Sequence, residues 1–314
     1  MAPATRQQPS GRCAACADLA LRRHLRVAGE AGPDGLSPTT TGFGTALADI
    51  VRCSTCGHMQ LERFPDDRWL ADAYRAAASQ GYVDEPEGQR QTARSALARI
   101  ECHVDRGELL DLGCWVGFLV AEACDRGWRA IGVEPSDFAS RHAREQLGVD
   151  VRTGGLLDAK LGERRFNAVV LGDVIEHLAD PGDALRRVRE LIAPGGVTWI
   201  ALPDAGSRIA RLLGAHWWSV IPTHLQYFTR ASLGVLLARH GFELLELTTA
   251  PKSFTVAYYL SRLDGYSPTL GHTLTAGARA LGLAGRQWAP DFGDRMAVIA
   301  RPRPDALVVD PQRG

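Results

Sequence analysis

A chain of 314 residues, 45% of them hydrophobic, can bury a sizeable core and fits one main domain with a smaller addition. Its 36 basic residues are balanced by 36 acidic ones, for a formal net charge of +0; with no basic excess or stripe, a small or neutral substrate is expected and a nucleic-acid partner is not. No window approaches the roughly 18 apolar residues of a membrane span, and the polar stretch 1–11 has no apolar run behind it, so the expectation is a soluble, cytoplasmic protein with no membrane partner.

Four of the seven cysteines form two Cys-x-x-Cys pairs, Cys13 with Cys16 and Cys53 with Cys56. Without a secretion signal, this arrangement favours zinc over disulfides. Each pair can sit on a tight turn with two thiolates on one side, and two such turns make the tetrahedral sulfur set zinc prefers. Gly57 follows the second pair where the turn needs conformational freedom. Four thiolates leave no coordination position open, so zinc in this 1–62 element is expected to be structural. His24 and His58 are further ligand candidates, with solvation or local hydrogen bonding as their alternative roles.

Residues 63–107 read as a linker with two helical pieces. The first begins at Asp66 and Asp67, acidic as a helix N-terminus prefers, and places Trp69, Leu70 and Ala73 on one face. The second runs from Gln89 to Val104. Between them, Tyr82 either packs on the neighbouring domain or touches a substrate or cofactor.

From Glu108 the pattern alternates between strand and helix, as in a mostly parallel sheet. Leu109–Leu112 is an apolar run ending in a glycine-bearing turn, Gly113-Cys114-Trp115-Val116-Gly117, and a second apolar run follows at helical spacing. Gly113 and Gly117 let the backbone approach a ligand or take positive φ, and the amides opening the next helix suit a carboxylate or phosphate. The spacing departs from the dinucleotide G-x-G-x-x-G, which disfavours a nicotinamide-dependent dehydrogenase. The second strand, Arg129–Glu134, ends in a carboxylate roughly 20 residues after the turn, where such folds bind ribose hydroxyls. Glu134, followed by Pro135, is therefore the expected ribose ligand, and Ser136 caps the next helix.

A short third strand, 149–152, precedes Gly154-Gly155-Leu156-Leu157-Asp158. A buried strand then ends near Leu171. After it come an exposed loop from Gly172 and a helix opened by Asp180 and Pro181. Strand five is 197–202, a helix capped by Thr229 runs through His240, and strand six is 242–248. Residues 251–293 break the rhythm, as an insertion that forms an acceptor pocket or a homodimer contact. The last strand is 295–300, and 303–314 is a frayed tail.

Asp111-x-Gly113-x-x-x-Gly117 resembles motif I of the class I S-adenosylmethionine-dependent methyltransferases, with Trp115 where the middle glycine is usual. The segment Gly172-Asp173-Val174-Ile175-Glu176-His177-Leu178-Ala179-Asp180-Pro181 resembles the family's motif IV. Leu191-x-x-Pro194-Gly195-Gly196 before a strand is similarly familiar. Pro203-Asp204, His216-Trp217-Trp218 and Thr223-His224-Leu225-Gln226-Tyr227-Phe228-Thr229 resemble a subgroup found in sugar, polysaccharide and natural-product pathways, whose members often carry an N-terminal Cys-x-x-Cys zinc element. The resemblance implies an α/β, Rossmann-like fold over 108–302, with a mostly parallel seven-stranded sheet whose last strand is antiparallel. It also implies S-adenosylmethionine as cofactor. Asp111, Gly113, Cys114, Gly117, Glu134, Pro135 and Gly172 would line its site, and Leu156, Leu157 and Asp158 would meet the adenine.

The cofactor's methyl group sits on a positive sulfur, so the protein's task is to hold a nucleophile in line at about 3 Å in a water-poor pocket. A hydroxyl acceptor also needs a base, and histidine is the natural choice near neutral pH. His177 and His224 both lie on loops expected to face the cofactor, each with an orienting hydrogen bond as its other role; His224 is preferred. Trp217, Trp218, Tyr227 and Phe228 form either an aromatic wall for an acceptor or ordinary core. The leading expectation is methyl transfer to a small-molecule acceptor, a hydroxyl of a deoxysugar or another secondary metabolite. The alternatives are a scaffold that uses the cofactor without methylating, and a zinc-element binding protein whose cofactor site Trp115 has closed.

Overall fold

The computed structural model describes residues 5–7, 11–29, 43–78, 83–155, 159 and 161–304. Tyr82, Leu156, Leu157 and Asp158 lie outside the described residues. Among the described residues, five short strands open the chain: β1 (Thr5–Gln7), β2 (Leu21–Leu25), β3 (Ile50–Cys53), β4 (Met59–Leu61) and β5 (Arg63–Pro65). The main sheet uses β6 (Glu108–Leu112), β7 (Arg129–Glu134), β8 (Val151–Thr153), β9 (Phe166–Gly172) and β10 (Ile192–Pro203). Later come β11 (Gln226–Tyr227), β12 (Phe242–Thr249), β13 (Phe254–Thr255), β14 (Gln287–Trp288) and β15 (Arg295–Pro302).

The main sheet has seven strands in the order β12-β15-β10-β9-β6-β7-β8. β15 runs antiparallel to both its neighbours, and the contacts among β10, β9, β6, β7 and β8 are parallel. Alternation along the strands buries both faces: Leu110, Val169 and Leu171 enter one core, and Leu109, Ala168 and Val170 the other.

The helices start and stop where their cap residues say. Gly117 precedes the helix Phe118–Asp125 at φ 85°, and Gly127 follows it at φ 91°. The Ser136 hydroxyl accepts from Ala139 N, Asp180 accepts from Asp183 N ahead of Pro181, and Thr229 and Ser232 cap each other reciprocally. Each such cap stabilises its helix by about 1 kcal/mol.

Some boundaries differ from the sequence reading. The second helical piece is Pro86–Ile100, since proline is well placed in a first turn. Its Leu97 and Ile100 are fully buried on one face of the sheet, each contributing about 1.5–3 kcal/mol, so the helix is a layer of the main core. The third strand is Val151–Thr153 rather than 149–152. β10 begins directly after the helix Pro181–Leu191, with a register shift between Ile192 and Val197 that takes up Pro194, Gly195 and Gly196. The segment after β12 folds into the helices Val256–Ser261 and Pro268–Ala280 and the antiparallel pair β13 and β14.

β2, β3 and β4 form an antiparallel sheet whose fourth member is β11, so the N-terminal element is hydrogen-bonded to a loop of the main domain. Among the described residues, no helix is long and apolar enough to cross a membrane.

Candidate active site

A cavity of about 920 Å³ opens at the carboxyl ends of β6, β7, β9 and β10, lined by Asp111, Gly113, Cys114, Glu134, Pro135, Gly172, His177 and His224 among others. This is where open α/β sheets place their ligands. Gly117 stands behind it, capping the following helix.

The glycine turn is shaped by packing as much as by φ. Gly113 has φ 77°, its amide donates to the Val133 carbonyl at 2.8 Å, and a Cβ there would come within 2.6 Å of Val174 Cγ2. At Gly117, φ 85°, a Cβ would meet the Ala143 Cβ at 2.9 Å. Trp115, in place of the usual middle glycine, also adopts a left-handed φ of 49°, at a cost of roughly 1–2 kcal/mol. Its amide donates to Glu134 Oε2 at 2.8 Å, while Ser136 N donates to Oε1 at 2.8 Å. Glu134 is thus enclosed rather than solvated. Burial pushes its carboxyl up to about 7, against the pull of those two amides. Asp111 is pushed up to about 8, by burial first and by the charge of Glu134 second.

The loop after β9 holds the second group. Asp173, at φ 57°, receives Lys252 Nζ and Arg295 Nη2, each at 2.6 Å. Against the upward pull of burial, the charges of Arg295 and Lys252 hold its carboxyl well below the usual range. Glu176 is buried with no hydrogen-bond partner on either oxygen, and burial, then Asp173, pushes it up to about 8. Two histidines meet edge to face beside it, ring centroids 4.8 Å apart. His177 Nδ1 donates to the Thr223 carbonyl at 2.8 Å, with the Tyr74 hydroxyl 3.1 Å away, and His224 Nδ1 donates to the Ser219 carbonyl at 2.8 Å. Burial lowers His177 to about 4 and takes His224 well below its ordinary value. Both rings are therefore neutral at pH 7, with the lone pair on Nε2.

Sequence reasoning picked out Glu134, His177 and His224, and the structure brings all three to one cavity. It missed Tyr74, Asp173 as an ion-pair centre, Lys252 and Arg295. Lys252 carried a usable signal, since the chain has two lysines in all and one lies near the end of a core strand. Of the two readings of the aromatic residues, ordinary core holds for Trp217, Tyr227 and Phe228, which are 3%, 4% and 0% exposed. Trp218 does line the cavity, with its indole N–H donating to Asp294 at 2.8 Å.

Away from the cavity, the sulfurs of Cys13, Cys16, Cys53 and Cys56 all lie within 4.8 Å of one another. Cys13 and Cys56 are 3.5 Å apart, and Cys16 and Cys53 3.6 Å. Zinc–sulfur bonds of about 2.3 Å give a tetrahedron with edges of about 3.8 Å, so the thiols fit a zinc ion and are too far apart for disulfides. His58 is instead buried against Phe228, and its Nε2 is 2.9 Å from Gln226 Oε1. His24 lies on the exposed strand β2.

A family profile described as a methyltransferase domain matches residues 87–247, more than half of the 314. The ubiquinone biosynthesis O-methyltransferase of Azorhizobium caulinodans is 31% identical over 151 residues, covering 44% of this chain and 60% of the relative. The protein of the same name from Caulobacter vibrioides is 37% identical over 100 residues, 30% of this chain and 39% of that one. The chain thus spans less than two thirds of the length of these relatives. Among solved structures, the CcbJ methyltransferase of Streptomyces caelestis superposes with a TM-score of 0.46 at 19% identity, covering 69% of this chain and 90% of that one. With the glycine turn, the strand-end glutamate and the profile match all in one sheet, the chain belongs to the class I S-adenosylmethionine-dependent methyltransferases.

Proposed function

We propose that this enzyme methylates a hydroxyl of a small-molecule acceptor, a deoxysugar or another secondary metabolite, with a histidine taking the hydroxyl proton. The observation that carries the reading is the meeting, in one cavity, of the Glu134 carboxylate with His177 and His224. S-adenosylmethionine, when bound, supplies an electrophilic methyl group on a positive sulfur. Glu134, held by two amides, keeps lone pairs on both oxygens and accepts from the ribose hydroxyls. Gly113 and Gly117 shape the turn beside it, and Asp111, Cys114, Pro135 and Gly172 line the rest of the cofactor side, with Leu156, Leu157 and Asp158 assigned to the adenine.

His224 takes the proton at Nε2 while its Nδ1–H stays on the Ser219 carbonyl, which fixes the tautomer and aims the ring. His177, held the same way by Thr223, orients its neighbour or shares the proton. Relatives named as O-methyltransferases support oxygen as the accepting atom. Cys13, Cys16, Cys53 and Cys56 hold a structural zinc, a role supported by sulfur spacings close to the tetrahedral edge.

The test is incubation with methyl-labelled S-adenosylmethionine and a panel of sugar and phenolic acceptors, following label transfer and S-adenosylhomocysteine release together. Acceptor-dependent release supports methylation. Firm cofactor binding with no release for any acceptor would favour the non-methylating use of the scaffold.

A further inference from the structure

The cavity continues past the two histidines to a wall built mainly by the segment between β12 and β15. Phe254 stacks on Tyr258 with ring centroids 4.1 Å apart, Tyr259 meets Trp288 edge-on at 5.5 Å, and Phe292 meets Trp218 at 5.9 Å. All six rings line the cavity that holds Glu134 and His224. Trp288 and Phe292 nevertheless remain 47% and 49% exposed. Large rings left half open along a cavity point to a ligand that covers them.

Two polar groups of this wall are engaged within the protein. The Tyr259 hydroxyl donates to the Lys252 carbonyl at 2.6 Å, and the Arg262 guanidinium lies over the Tyr258 ring, 4.1 Å from its centroid. A sugar would bring several hydroxyls whose lost water contacts need replacing, whereas a flat aromatic ring needs faces and edges. The volume, about 920 Å³, lies near the upper end of single-ligand pockets, roughly 300–1,000 Å³, which leaves space for an acceptor beside the cofactor.

The histidines point the same way. With burial lowering His177 to about 4 and taking His224 well below its ordinary value, neither is matched to a hydroxyl as weakly acidic as water, about 15.7. A phenol, at about 10, narrows that gap by more than five units.

Resting on the methyl-transfer reading, we propose that the acceptor is a phenolic hydroxyl on a flat aromatic ring system seated against this wall, and not a sugar hydroxyl. The phenol oxygen bonds the methyl carbon, the sulfur–methyl bond breaks with its electron pair left on sulfur, and the phenolic proton passes to Nε2 of His224.

The probe is 2,3-dihydroxynaphthalene, titrated by calorimetry into full-length protein saturated with S-adenosylhomocysteine, whose own affinity is measured first. Absence of S-adenosylhomocysteine binding removes the underlying reading and the proposal with it. Once it is bound, the diol is expected to bind and a thymidine diphosphate deoxysugar is not. Trp288→Ala and Tyr259→Ala should each weaken the diol by on the order of tenfold, with S-adenosylhomocysteine affinity unchanged as the control for folding. Diol affinity equal in wild type and both variants, or binding of the deoxysugar without the diol, overturns the proposal and leaves methyl transfer standing.

Discussion

Glu134 ends a strand, where a carboxylate is ordinarily solvated, yet the Trp115 and Ser136 amides enclose it under the glycine turn. Its carboxyl is raised to about 7, so lowering the pH through 7 protonates the group proposed to accept from ribose. S-adenosylhomocysteine affinity should therefore fall as the pH drops from 8 to 6. In Glu134→Gln that part of the dependence should vanish, leaving the contribution of Asp111, whose carboxyl burial still holds above its ordinary value once the charge of Glu134 is gone. An unchanged slope in the variant would remove Glu134 from the binding role. Glu134→Ala should also weaken cofactor binding much more than Asp158→Ala, and equal small effects would count against the ribose assignment. For the base, His224→Ala should lower kcat by about 10²–10⁴ while leaving cofactor affinity intact; a variant with full activity would shift the proton to another group.

At this scale Glu134 was legible because strand, turn and carboxylate follow one another in sequence. The ion-pair centre at Asp173 was not, since its partners Lys252 and Arg295 come from other elements and Arg295 is 122 positions away.

The elements couple the N-terminal unit to the chemistry. β4 pairs with β11, which starts two residues after His224, and Leu61 N donates to the Leu225 carbonyl at 3.0 Å while Leu225 N donates to the Glu176 carbonyl at 2.9 Å. One hydrogen-bonded path thus joins the cysteine turns, the His224 loop and the Glu176-His177 loop. Zinc removal, or Cys53→Ser, should lower Tm and kcat together, with a smaller effect on S-adenosylhomocysteine binding, which rests on β6 and β7. Full activity in metal-free protein would uncouple the two. The helix Pro86–Ile100 makes a second element-scale claim: Leu97→Ala should destabilise by about 2–5 kcal/mol in urea denaturation, whereas a mobile linker helix would lose almost nothing. Sequence reasoning located this helix but read it as a linker. Its Ala- and Arg-rich composition shows little apolar periodicity, and the helices and strands it packs on are distant in sequence.

At the scale of the whole molecule, the parallel sheet was readable from alternating apolar runs, from glycines at turns and from cap residues at Ser136, Asp180 and Thr229. These are local signals. Contacts across the chain were silent: His58 with Gln226 is separated by 168 positions, and the aromatic wall joins Trp218 to rings between Phe254 and Phe292. For the same reason Trp217, Tyr227 and Phe228 could be read either as wall or as core until their burial was known.

The turn from Asp111 to Gly117 is proposed to form a working cofactor site with Trp115 in place of a glycine. Calorimetric titration of the folded, zinc-loaded protein tests it most directly, with S-adenosylmethionine and S-adenosylhomocysteine as ligands and NAD as control. The first two are expected to bind at one site per chain, and NAD to give no heat. No binding of either in protein shown to be folded would contradict it, and would mean that the left-handed Trp115 has closed the site.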